Sequence, residues 1–198
     1  YPITGAPDTI QAAQFRKVVF GVLSSDTSGG GTVQFDANLK GKSGPVWNPV
    51  NGDEFAVVIQ NANFLDRIYV CTVDLNQSDN VPVTSSYFLP RPDSRLEWYF
   101  NYPAYSPDGR FLLYSRYYFR EGATDQDPDI TEPQTLYVMD LSTQEEFQLS
   151  SGTSREGEGA WSPSGNSIVF ASNRSTTAGS SRDLYVIDFD PTNPGGVL

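Results

Sequence analysis

The residues best placed to do chemistry are acidic and close together. Asp125, Asp127 and Asp129 alternate along one stretch, and Glu132 follows three residues later. In a loop, that spacing can turn several carboxylates onto one hard cation, and Ca2+ takes roughly six to eight oxygens at about 2.3–2.6 Å. The stretch departs from the EF-hand pattern: Ile130 stands where the sharp-turn glycine belongs and Leu136 where the bidentate glutamate belongs. Its other reading is a solvated acidic surface loop. Ca2+ is the only cofactor the sequence suggests. Two more carboxylates, Glu156 and Glu158, stand just before Trp161. They could line a channel and order water or a cation. With Asp125 they are also the groups a carboxylate-based hydrolase or lyase acting on glycan or peptide would use.

Other chemistry is excluded by residue type. The chain has no histidine, which removes Ser-His-Asp and Cys-His catalysis and the commonest transition-metal ligand. Cys71 is the single cysteine, so no intrachain disulfide can form; within Ile68–Val73 it reads as a small buried strand residue. Thirteen basic against 24 acidic residues give a net charge of −11. Such a surface repels phosphate backbones and anionic lipid, so neither nucleic acid nor membrane is an expected partner. No apolar run approaches the roughly 18 residues a spanning helix needs. The opening Tyr1-Pro2 suggests a processed or excised chain.

The elements that must position these groups are strands. Short β-branched and aromatic runs such as Lys17–Val22, Glu54–Ile59 and Asn166–Ala171 are punctuated by Gly, Pro, Asn, Asp and Ser, and none has a helical period. Two stretches repeat one another: Tyr105-Ser-Pro-Asp-Gly109, running on to Arg116, and Trp161-Ser-Pro-Ser-Gly165, running on to Ser172. Each is followed by a second match, Leu136-Tyr-Val-Met-Asp140 and Leu184-Tyr-Val-Ile-Asp188. Trp47-Asn-Pro-Val-Asn-Gly52 is an earlier copy with one inserted residue. The turn glycines are 57 residues apart from Gly52 to Gly109 and 56 from Gly109 to Gly165. A weaker first copy begins at Lys17 and lacks the Pro-x-Gly turn.

Each unit reads as four short strands, and four-stranded units at this period indicate a β-propeller. The expected fold is all-β: one domain over residues 1–198, a propeller of about four four-stranded blades with repeats near 5–40, 41–90, 91–150 and 151–198. Asp74, Asp140 and Asp188 recur after the third strand as turn caps. Arg116 and Arg174 are expected to bind carboxylates or carbonyls between blades. The aromatic runs Leu96–Tyr102 and Tyr117–Phe119 are expected mainly to pack blades together.

The Ser-Pro-Asp-Gly and Ser-Pro-Ser-Gly turns, Ser115-Arg116, Ser172-Asn-Arg174 and the two Leu-Tyr-Val-x-Asp strands resemble the repeats of TolB-type β-propellers. That repeat also occurs in the propellers of prolyl oligopeptidase-like peptidases. The resemblance covers residues 41–198 well and implies a scaffold that binds protein partners in the periplasm or outside the cell. Peptidase relatives carry their nucleophile on a separate domain, so enzymatic activity is not expected here. The last unit stops as its outer strand should begin, and Tyr1, Pro2, Ile3 and Thr4 look like that strand at the other end of the chain. With Val197 and Leu198 they could close the ring within one molecule or pair between molecules into an extracellular homo-oligomer.

Overall fold

The computed structural model describes residues 17–19, 40–41, 44–60, 66–76, 80–90, 98–119, 130–175 and 182–195, and among them there is no helix. The all-β reading holds. The alternation of each strand sends neighbouring side chains to opposite faces, and this divides the apolar residues between consecutive sheets.

Blade I contains β2 (Lys40–Gly41), β3 (Val46–Trp47), β4 (Glu54–Gln60), β5 (Asp66–Val73) and β6 (Asn80–Phe88), with β4, β5 and β6 antiparallel. β2 pairs with β4 at Gln60 and β3 pairs with it at Phe55, so two short pieces share one edge of β4. Blade II runs β7 (Trp98–Tyr105), β8 (Phe111–Phe119), β9 (Ile130–Asp140) and β10 (Glu145–Gln148) in a simple antiparallel order. Blade III has β11 (Glu156–Trp161), β12 (Ser167–Ser172) and β13 (Asp183–Asp188). Of the first sequence unit, Lys40 opens β2, and Lys17–Val19 forms a further strand, β1. It runs parallel to β6 at the outer edge of blade I, Val18 opposite Val81.

The blades stack in chain order, with β7 against β3, β4 and β5, and β11 against β7, β8 and β9. One core lies between blades I and II, built from Ala56, Val58, Ile68 and Val70 on one side and Phe100, Leu112, Tyr114 and Met139 on the other. A second lies between blades II and III, where Phe111, Leu113, Leu136 and Val138 meet Ile168, Phe170 and Phe189. The face of blade I away from blade II is buried as well, through Phe55, Val57, Tyr69, Cys71 and Val83. Burial there pushes the Cys71 thiol up to about 12, with the Glu54 carboxylate adding to the effect.

The turns explain why the repeat is legible. Gly109 and Gly165 take φ of 72° and 76°, where an L side chain is strained and glycine is not. In both turns the hydroxyl at the repeat serine accepts the amide that opens the next strand, Phe111 N to Ser106 at 2.9 Å and Ser167 N to Ser162 at 3.1 Å. The inserted residue of blade I is taken up by Asn48, whose Oδ1 accepts the amides of Val50 and Asn51. Asn48 Oδ1 also lies where a Cβ on Gly109 would sit, 2.6 Å away, whereas the nearest atom to a Cβ on Gly165 is 3.6 Å away.

Candidate interaction surface

Blades II and III place an arginine over the aromatic of their third strand, by different routes. In blade II, Arg116 on β8 lies 3.7 Å above the Tyr137 ring and pairs with Glu146 of the outer strand β10, at 2.6 and 2.5 Å from its two oxygens. Tyr114 donates its hydroxyl to the same carboxylate. Burial, then the charge of Glu146, holds that phenol well above its usual range. In blade III the arginine is Arg174, just past the end of β12, 4.9 Å from the Tyr185 ring and 5.2 Å from Phe170. Its carboxylate is Glu156 of the innermost strand β11. Both ion pairs therefore lie within a blade, not between blades as the sequence suggested. The reason is that each guanidinium lies along its own sheet, over the aromatic ring of the neighbouring strand.

That difference follows from the edges. In blade II, β10 covers β9, with Glu146 opposite Met139, Phe147 opposite Val138 and Gln148 opposite Tyr137. In blade III, β13 pairs with β12 from Ser172–Asp183 to Ser167–Asp188, and among the described residues no strand pairs with its other side. Among the described residues, nothing covers the blade III face that looks away from blade II, and two large apolar side chains stand on it. Leu184 is 77% exposed and Val186 69%, and Val169 lies beside Val186 in register. At the same repeat positions in blade II, Leu136 is 1% exposed and Val138 0%.

The turn caps are partly as expected. Asp74 accepts the Asn76 amide and Asp140 the Ser142 amide and hydroxyl. Asp140 is also bound by Arg110, through Nε at 3.0 Å and Nη2 at 2.7 Å. Its burial alone would raise its pKa, yet the bonds from Ser142 and Arg110 outweigh that and hold the carboxyl below its usual range. In blade III, Asp190 takes this role in place of Asp188, accepting the Thr192 amide at 2.8 Å, because the last turn is displaced two residues beyond the strand. Asp188 instead accepts the Ser167 hydroxyl at 3.4 Å.

The innermost strands of blades II and III share an irregularity that the sequence did not suggest. Each is bulged, between Asn101 and Ala104 and between Gly157 and Ala160. Tyr102 and Glu158, at the same place in the repeat, adopt φ of 55° and 56° and are exposed. Glu158 lies 3.6 Å from Arg182. Its flanking glycines lie close to blade II: a Cβ on Gly157 would lie 2.7 Å from the Gln134 side-chain amide and one on Gly159 2.7 Å from a Leu113 methyl, so those side-chain ends would have to shift. Glu156 is wholly buried, so the two carboxylates occupy unlike environments. Of the aromatic runs, Phe100 is core and Tyr99 stacks on Tyr117 within blade II, while Tyr102 points to solvent.

Asp125, Asp127 and Asp129 lie outside the described residues; Glu132 is on β9 opposite Tyr118. Among the described residues, no three acidic or thiol groups come together as a metal site. Tyr1, Pro2, Ile3, Thr4, Val197 and Leu198 also lie outside the described residues.

No protein-family model and no curated protein matches this chain. Among solved structures it is similar to TolB from Acinetobacter baumannii (21% identity, TM-score 0.46, covering 77% of this chain and 30% of that one). It is likewise similar to a TolB of Agrobacterium tumefaciens (21% identity, TM-score 0.46, 69% of this chain and 39% of that one). Prolyl oligopeptidase B from Galerina marginata aligns at a TM-score of 0.51 with 15% identity, over 80% of this chain and 22% of that one. The chain thus spans well under half the length of each. The alignment with the prolyl oligopeptidase shows the fold, and the successive antiparallel sheets stacked face to face are those of a β-propeller.

Proposed function

We propose that this chain is a non-enzymatic β-propeller module, exported from the cytoplasm, that joins copies of itself through the far side of blade III. The observation that carries the reading is the exposure of Leu184 and Val186, 77% and 69%, at positions where the preceding blade buries a leucine and a valine completely. An apolar face of this kind, beside a strand edge that can accept backbone hydrogen bonds, is suited to receive another polypeptide. Tyr1, Pro2, Ile3 and Thr4, with Val197 and Leu198, are the segments proposed to cross between molecules.

The test is mass by light scattering over a concentration series, for the parent chain and for Leu184→Asp/Val186→Asp. The expected result is assembly of the parent chain and a 21.8 kDa particle for the double variant. A parent chain that stays monomeric at high concentration, and that loses no stability when residues 1–5 are deleted, would sink the proposal.

A further inference from the structure

We infer that Asn51 is a site of spontaneous covalent modification, at which the folded turn of blade I closes a cyclic imide that water opens to aspartate and isoaspartate. The inference is independent of how copies of the chain associate.

Asn51-Gly52 is the single Asn-Gly pair of the chain. The turn glycines stand at one place in the repeat, so Asn51, Asp108 and Ser164 before them are equivalent residues. Each accepts the amide two residues on: Asp53 to Asn51 Oδ1 at 3.3 Å, Arg110 to Asp108 Oδ1 at 3.1 Å and Asn166 to Ser164 Oγ at 3.5 Å. The glycines in between differ. The amides of Gly109 and Gly165 donate to the carbonyls of Ser106 and Ser162, each at 2.9 Å. In the longer turn of blade I, Asn48 Oδ1 takes the amides of Val50 and Asn51, and the Gly52 amide makes no hydrogen bond to a described residue. Asn51, Gly52 and Asp53 are all exposed, and nothing lies within 4 Å of where a Cβ on Gly52 would sit.

A nucleophile and an electrophile therefore share one turn. The bond from the Asp53 amide folds the Asn51 carboxamide back along the chain, past the Gly52 nitrogen, and draws electron density from Cγ. Holding the two groups together removes much of the entropy cost of ring closure. Once the Gly52 N–H yields its proton to solvent base, the nitrogen attacks Cγ. A C–N bond forms, the bond from Cγ to the side-chain nitrogen breaks, and that nitrogen leaves as ammonia after taking up a proton. Water then opens the imide. Addition at the side-chain carbonyl gives aspartate, addition at the main-chain carbonyl gives isoaspartate, and nothing is oxidised or reduced. The two products suit blade I differently. Aspartate is what blade II carries at this place, as Asp108. Isoaspartate routes the main chain through Cβ and takes the carbonyl that accepts the Glu54 amide at 3.1 Å off the main chain, which loosens the turn between β3 and β4.

The test is incubation of the whole chain in warm, mildly alkaline buffer, folded and in urea, followed by tryptic digestion and mass spectrometry with fragmentation that separates aspartate from isoaspartate. In the folded chain, position 51 should exchange NH2 for OH at a rate close to that in urea and give both products. Asn166 should keep its mass and Asp108 should give no isoaspartate, because the glycine amide of each of their turns is already bonded. A folded chain that stays unchanged at position 51 while urea converts it would overturn the inference, since the turn would then protect its asparagine. Gly52→Ala has room for its Cβ and no left-handed φ to strain it, so it should fold and lose most of the product. Product undiminished in that variant and free of isoaspartate would overturn the imide route. On heating, the isoaspartyl fraction of aged protein should unfold before Asn51→Asp, which should match the parent chain; identical unfolding of all three would overturn the loosened turn.

Discussion

Blades II and III carry nearly the same two strands, yet they meet opposite surroundings. Leu136-Tyr-Val-Met in β9 and Leu184-Tyr-Val-Ile in β13 are interchangeable by local sequence. In blade II the leucine and second apolar residue are sealed under Ile168 and Phe170 of the next blade. In blade III they face solvent. This repeat encodes two sticky faces per blade, and only the presence of a following blade turns the second face into core. An apolar strand in a repeat array is therefore an unmet contact until its neighbour is known.

Truncating equivalent leucines should separate the two blades most. Leu136→Ala should destabilise by about 2–5 kcal/mol, through lost burial and the cavity left behind. Leu184→Ala should fall within about 0.5 kcal/mol of the parent chain, measured on monomer by urea unfolding. Similar losses at both sites would mean that blade III's outward face is covered.

The turn glycines should separate by less. Gly165→Ala carries only the cost of a left-handed backbone, about 1–2 kcal/mol. Gly109→Ala carries that cost and also drives a Cβ against Asn48 Oδ1, so it should lose about 1 kcal/mol more. Asn48→Ala in the Gly109→Ala background should recover part of the added loss, and the cycle measures the coupling.

The smallest effect concerns acid. Asp140 is buried and held below its ordinary range, whereas Asp188, its repeat partner, is exposed. A carboxyl whose folded pKa is depressed adds stability that is complete above its unfolded value, near 3.9, and is lost as pH falls through the folded value. Asp140→Asn should therefore cost about 1–2 kcal/mol at neutral pH and progressively less below about pH 4. Asp188→Asn should leave stability at neutral pH within about 0.5 kcal/mol of the parent chain.

Much of the fold was legible because its signals are local. Pro-Asp-Gly and Pro-Ser-Gly mark turns whose glycines do take positive φ, and the alternating apolar runs do form strands. Long-range geometry was not legible in the same way. Nothing in the run from Lys17 announces that Lys17–Val19 will lie parallel to β6, since parallel pairing leaves no turn signature between the partners. Arg116 and Arg174 differ in repeat position by two residues, and only the folded sheets bring both over the tyrosine of the third strand. Neither Tyr102 nor Glu158 is a residue that favours the left-handed backbone each adopts, so residue type alone did not announce the bulges. The glycines around Glu158 were a signal for them, but close approach to Gln134 and Leu113 can be read only once blade II is in place.

The amino-acid sequence by itself determined the strands, the turns and the period at which they recur, because backbone conformation answers to neighbours a few residues away. Which apolar face becomes core, which arginine finds which carboxylate and which edge stays open were decided by tertiary structure alone. Burial and ion pairing are properties of a neighbour across space, and two strands as alike as Leu136–Asp140 and Leu184–Asp188 can differ in both.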